Sequence, residues 1–203
     1  MSSVTTSPAP VPTPYSLYCR KRSRIGASAA LVMQWYQGPY QVSWDAEDVD
    51  VDSPALLDPE TDETIHGIEI VAYLLHKLDT DKKRCYEAGS LEAEVVKIRI
   101  DRMLNQVETG NPIQFAFDLE TYIREELNMR VVGRTTTLAD FLFFPVSFGI
   151  FYHFQRRRTR LFYRTAAWYA AWTRDPRTRN ALFSVGWGAG DDAFADIVLR
   201  NSS

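Results

Sequence analysis

Only two cysteines occur in 203 residues, Cys19 and Cys85, far apart and without a second ligand at metal-binding spacing. That pattern excludes a CxxC redox pair, a disulfide scaffold and a zinc finger, and it fits a reducing compartment. Histidine is equally sparse: His66, His76 and His153 stand singly, so no metal centre is expected and no cofactor is implied. No apolar run approaches the roughly 18 residues that a bilayer-crossing helix needs. A cytoplasmic location without a membrane span is the expectation. Acids are missing from the first 44 residues, which instead carry Arg20, Lys21, Arg22 and Arg24. An organelle presequence has such a composition, but Pro8, Pro10, Pro12 and Pro14 oppose the amphipathic helix it requires.

What is present is an ordinary globular composition, 45% hydrophobic with a formal charge of −3, in which the charges are segregated. Ten acids and no Lys or Arg lie between Asp45 and Glu69; eight arginines and one acid, Asp175, lie between Arg156 and Arg179. Opposite poles of this kind suit complementary protein partners or self-association.

Residues 1–14 hold little beyond Ser, Thr, Pro, Val and Ala and read as a tail. Tyr15 to Cys19 reads as a buried strand, Ile25 to Gln37 as a helix that Gly38-Pro39 ends, and Tyr40 to Trp44 as a second strand. A Ser53-Pro54 step leads into the short run Ala55-Leu56-Leu57. The spacing of Ile68, Ile70, Val71, Leu74 and Leu75 then predicts a helix from His66 to Leu78. The sheet domain thus covers residues 15–79, a charged linker 80–88, a helical domain 89–187, and a second tail 188–203.

Within the helical part, Ser90 can cap a helix from Leu91 to Val107, and further helices are predicted over Phe115–Glu126, from Thr137, over Arg160–Thr173 and over Asp175–Phe183. Thr137 and Asp140 form an N-terminal cap before Phe141-Leu142-Phe143-Phe144, and a helix apolar all round belongs inside a bundle. Trp168, Tyr169 and Trp172 recur at helical spacing and read as core.

A small mixed sheet, a Ser-Pro step, an amphipathic helix, a linker and a bundle whose buried helix opens with Thr-x-x-Asp together resemble the glutathione transferase superfamily. The resemblance implies an α+β fold, a reduced N-terminal thioredoxin-like domain followed by an all-α domain, with Pro54 at the family's cis-proline position and Thr137 and Asp140 as structural residues. It is similar in particular to the non-catalytic transferase-like domains of aminoacyl-tRNA synthetases, of auxiliary proteins of multi-synthetase complexes and of elongation-factor subunits. Ile65-His66-Gly67-Ile68-Glu69, Glu87-Ala88-Gly89-Ser90, Val132 to Asp140 and Trp168 to Phe183 carry that likeness.

The family positions a Tyr or Ser hydroxyl after the first strand to lower the thiol pKa of glutathione, and an acid-serine pair at the next domain helix to hold the γ-glutamyl group. His66-Gly67 stand where that pair belongs, Arg22 falls nearest the hydroxyl position with Ser23 one residue away, and Cys19 reads as a strand residue. Only about ten residues separate the second strand from Pro54. These departures lead to the expectation of no catalysis and of a scaffold in translation that docks synthetases or related factors as a homo- or heterodimer. The alternatives are a glutathione-dependent thiol transferase using Cys19 or Ser23, and a metaxin-like mitochondrial import component. Candidate docking surfaces are the helix face bearing Glu69, His76 and Lys77 and the segment with Arg156, Arg157, Arg160 and Arg164, for which auxiliary tRNA contact is the competing role.

Overall fold

The computed structural model describes residues 13–44, 53–79, 91–108, 111–125, 130–131, 136–154 and 162–187. Its first part comprises β1 (Tyr15–Tyr18), α1 (Arg24–Tyr36), β2 (Tyr40–Ser43), β3 (Ala55–Asp58), β4 (Glu63–His66) and α2 (Glu69–Leu78). The strands lie in the order β2-β1-β3-β4, with β1 parallel to β2 and antiparallel to β3, and β3 antiparallel to β4. A parallel pair needs a long crossover, and α1 supplies it.

β4 departs from the sequence reading, which began a helix at His66. Glu63, Thr64 and His66 are exposed and only Ile65 packs inward, so one apolar residue is all the strand signal its sequence carries. The step into Pro54 also departs from expectation: among the described residues no peptide bond is cis. Trans is the intrinsically favoured isomer, and here the Pro54 carbonyl accepts from the Gly67 amide at 2.8 Å, extending the β3–β4 pairing by one residue.

The β3–β4 hairpin is fastened to α2 by a buried carboxylate. Asp58 accepts from the Glu60 amide at 2.7 Å and from the Tyr73 hydroxyl, and Lys77 Nζ stands 3.5 Å away. Burial pushes the Asp58 carboxyl up, but the Tyr73 hydroxyl, the Glu60 amide and the Lys77 ammonium outweigh it and hold it below the ordinary carboxylate value. A carboxyl depressed by folding stabilises the native state above its unfolded pKa and loses that contribution as pH falls through the folded value. Unfolding followed from pH 6 to pH 2 should therefore show acid destabilisation beginning near pH 4, about the ordinary carboxylate value. Asp58→Asn should flatten that slope; an unchanged slope would assign it to other carboxylates.

The second part is all helical among the described residues: α3 (Leu91–Glu108), α4 (Pro112–Glu125), α5 (Leu138–Phe154), α6 (Tyr163–Arg174) and α7 (Pro176–Ser184). Every residue from Ala139 to Ser147 on α5 is buried, as an all-round apolar helix requires. Asp140 anchors its start, accepting from the Thr137 amide at 2.9 Å, the Thr137 hydroxyl at 3.2 Å, the Val131 amide at 3.2 Å and the Trp168 indole at 3.3 Å. Burial raises its carboxyl above the ordinary value, and the Thr137 and Val131 amides oppose that rise. Around α5 the rings of Trp35, Phe141, Phe144, Trp168 and Trp172 pack at centroid separations of 5.2–6.2 Å, mostly edge-on or stacked, which welds α1 to α5 and α6.

Residues 26–33 of α1 are all buried, because α2, α5 and α7 pack on the sides that the sheet leaves open. Asp175 caps α7 by accepting from the Arg177 amide at 2.9 Å and pairs both its oxygens with the Arg177 guanidinium, which lies 3.8 Å over the Trp35 ring. Tyr40 on β2 donates to Ser184 at 3.0 Å, and the Arg22 amide donates to the Val185 carbonyl at 2.7 Å. The sheet and the last helix thus share one junction. The linker 80–88, the tail 188–203, most of the tail 1–14, Ser90 and the segment 45–52 lie outside the described residues.

Candidate active site at the sheet edge

One row of paired residues, Ser43, Tyr18, Ala55 and His66, crosses all four strands. Immediately past that row come Trp44, Cys19, Pro54 and Gly67, so four connections converge on one edge of the sheet. It is the carboxyl edge of the parallel pair β1–β2, where an open sheet presents its ligand crevice.

The β1–α1 turn sets the chemistry of this edge. Arg22 takes a left-handed backbone, φ 65°, held by its hydrogen bond to Val185, and delivers Ser23 to the N-cap of α1. Ser23 Oγ accepts from the Gly26 amide at 3.0 Å. A hydroxyl that accepts from a helix amide keeps its own proton for an incoming acceptor, and is polarised to give it. The helix N-terminus adds a partial positive charge that favours an anionic sulfur there.

Cys19 is ruled out as the reacting thiol by its surroundings. It is 5% exposed, and burial pushes its thiol up to about 11, so at pH 8 the thiolate fraction is on the order of one in a thousand. The first turn of α1 lies directly on it: a Cβ at Gly26 would come within 2.7 Å of Cys19 Sγ. Gly26 is required for that approach.

Across the edge, Gly67 has φ 62°, a left-handed turn that suits glycine, and a Cβ built on it would meet Ser53 Oγ at 3.5 Å. The Ser53 hydroxyl therefore borders the His66–Gly67 turn, a neighbour that sequence reasoning missed because it treated the Ser53-Pro54 step only as a strand entry. Trp44 is 40% exposed, with the Lys21 ammonium 4.9 Å over its ring. Among the described residues no group of three His, Cys, Asp or Glu could hold a metal ion.

The residues expected to form docking surfaces are dispersed. Glu69 and His76 are exposed on α2, but Lys77 turns to the hairpin, 3.5 Å from Asp58 and 3.7 Å from Glu60. Arg164 leans on Tyr163, its Nε donating to that hydroxyl at 2.7 Å, while its amide donates to Glu120. Arg156, Arg157 and Arg160 lie outside the described residues. No described helix is long and apolar enough to cross a membrane.

No family model matches the chain, and no curated protein does. Solved structures do match over nearly its whole length. The chain is similar to glutathione transferase URE2P8 from Phanerochaete chrysosporium, solved with oxidized glutathione (19% identity, 87% of this chain and 97% of that one, TM-score 0.71). It is similar also to an epsilon-class glutathione S-transferase of the housefly, Musca domestica (15% identity, 92% and 98%, TM-score 0.69), and to a glutathione S-transferase of the Antarctic clam Laternula elliptica (14% identity, 92% and 100%, TM-score 0.70).

The chain has the glutathione transferase fold. The expectation of a chain without enzymatic activity is corrected by these matches, which are glutathione transferases. Of the two residues weighed for the hydroxyl position, Arg22 and Ser23, it is Ser23 that caps α1. Nothing in the matches ties the chain to synthetase-associated domains, tRNA or translation.

Proposed function

We propose that this chain is a thiol transferase of the glutathione class, with the sulfur of the thiol substrate held against Ser23. The observation that carries the reading is the Ser23 hydroxyl at the N-cap of α1, its oxygen accepting from the Gly26 amide so that its own proton is left to give, on a fold shared with glutathione transferases. Hydrogen bonding to the thiolate lowers the thiol pKa and raises the fraction of nucleophile at neutral pH. With a chlorodinitrobenzene-type electrophile the sulfur attacks the ring carbon, a C–S bond forms, chloride leaves with its electron pair, and the thiol proton passes to water.

The His66–Gly67 turn offers neither a carboxylate nor a side-chain hydroxyl to the γ-glutamyl end of the thiol; Ser53 is the hydroxyl nearest to it. Recognition there is accordingly weaker, and the glutathione KM should lie in the millimolar range, where binding is worth about −4 kcal/mol. The test is initial-rate turnover of such an electrophile at 0.1 to 20 mM glutathione, roughly bracketing that range. Saturable turnover above the uncatalysed rate supports the reading. A rate equal to the uncatalysed one across a panel of electrophiles and thiols overturns it.

A further inference from the structure

The turn that carries Ser23 is crowded with charge of one sign. Arg20, Lys21, Arg22 and Arg24 surround the serine, and all four are exposed. No ion pair joins Arg20, Lys21 or Arg24 to a carboxylate among the described residues. Acids are not scarce in the chain, 26 against 23 Lys and Arg, yet the first turn of α1 has none and Arg24 takes its first position. A cation there opposes the helix dipole and its neighbours repel it, so local stability does not account for the cluster. Lys21 is also held in place. Its stem lies against Gly186, where an added Cβ would meet Lys21 Cγ at 3.2 Å, and its ammonium stands 4.9 Å over the Trp44 ring.

The far end of the same edge offers nothing to a positive group. The described residues there, Ser53, Pro54, His66 and Gly67, include no carboxylate. Glu69, the next acid along the chain, lines the cavity between α2, α3 and α5 instead. Because β3 lies between β1 and β4, that end is about 10 Å from the serine turn, two strand spacings, whereas Trp44 on β2 is one spacing away on the other side. A thiol seated at Ser23 thus meets cations toward β2 and no acid toward β4. With the sulfur placed as the transferase reading requires, on which this step rests, we infer that the thiol taken by this site is held through anionic groups, carboxylate or phosphate, and carries no free ammonium. An N-acylated acidic thiol has that chemistry, and guanidinium groups pair with either anion in bidentate fashion.

Calorimetric titration of the full chain with unreactive thioethers tests recognition apart from catalysis. S-methyl-N-acetylglutathione should bind about tenfold more tightly than S-methylglutathione, and its diethyl ester, with both carboxylates blocked, about tenfold more weakly than the free acid or worse. S-methylated phosphopantetheine identifies the anion: binding tighter than that of the N-acetyl compound assigns phosphate, weaker binding assigns carboxylate. These differences should shrink at about 0.5 M salt. Lys21→Gln with Arg24→Gln should remove most of the N-acetyl preference while Tm holds or rises, since a cation leaves the start of α1. Equal or tighter binding of S-methylglutathione overturns the inference, because its ammonium then finds a carboxylate. So does an N-acetyl preference that survives both substitutions, or the absence of binding by every thioether at about 10 mM. Turnover of glutathione with the binding order reversed removes this inference and keeps the transferase reading; the expected order without turnover of any thiol does the opposite.

Discussion

Asp140→Ala should destabilise the chain more than any other single truncation of a polar side chain described above. It strips the acceptor from four donors at once, the Thr137 and Val131 amides, the Thr137 hydroxyl and the Trp168 indole, in a place where no water reaches. An unsatisfied buried donor costs about 1 to 3 kcal/mol, and relaxation of the cavity recovers part of the sum, so a loss of about 4 kcal/mol or more is expected. For a chain of this length that is a fall of roughly 8 to 16 °C in Tm. Asp140→Asn discriminates the cause. It preserves volume but brings two further N–H donors into a site already made of donors, so it should lose most of what Ala loses. Thr137→Ala removes one donor of the four and should cost only about 1 kcal/mol. An Asn variant as stable as the parent would show that packing, rather than the carboxylate, holds this corner.

Ser23→Asp should separate the two roles of the serine. Asp caps a helix as well as Ser does, so stability should fall by less than the roughly 1 kcal/mol that Ser23→Ala removes. In activity the order reverses. The carboxylate at position 23 has no proton to give at pH 7 and repels a thiolate, so kcat/KM should fall about 100- to 1,000-fold, at least as far as in Ser23→Ala. The pH dependence of kcat/KM should move with it: the parent rises to its plateau below the ordinary thiol range, and both variants only as pH approaches that range. Turnover that persists in both variants with an unmoved profile would remove Ser23 from the mechanism and leave the transferase reading without its main support.

The sequence already displays most of the architecture, because its elements are strongly patterned. β1 and α1 are read within a residue or two, and α5 announces itself by an apolar run behind a cap. β4 is illegible since it lies at the edge of the sheet with three of four side chains in water. The Thr137–Asp140 cap is visible as a local motif, but Val131 and Trp168, which complete the shell of donors, reach Asp140 from 9 and 28 positions away, and no spacing rule links them. At the site the difficulty is backbone geometry. The left-handed turn at Arg22 belongs to a residue type that seldom adopts one, so nothing in the sequence shows how the chain enters α1 at the Ser23 cap. Cys19 lies beside four cations in the sequence, a setting that would depress a thiol pKa; in space it lies beneath Gly26, and burial raises it instead.

The junction between β2, the β1–α1 turn and α7 has a consequence for synthesis on the ribosome. Tyr40 and Ser184 are 144 positions apart, and the Arg22 amide finds its acceptor at Val185. The first strands and α1 emerge early, and the turn before Ser23 has local hydrogen bonds, but its tie to Val185 forms only after the end of α7 has cleared the exit tunnel, so a stalled or truncated nascent chain holds a partly formed sheet and an unfinished candidate site.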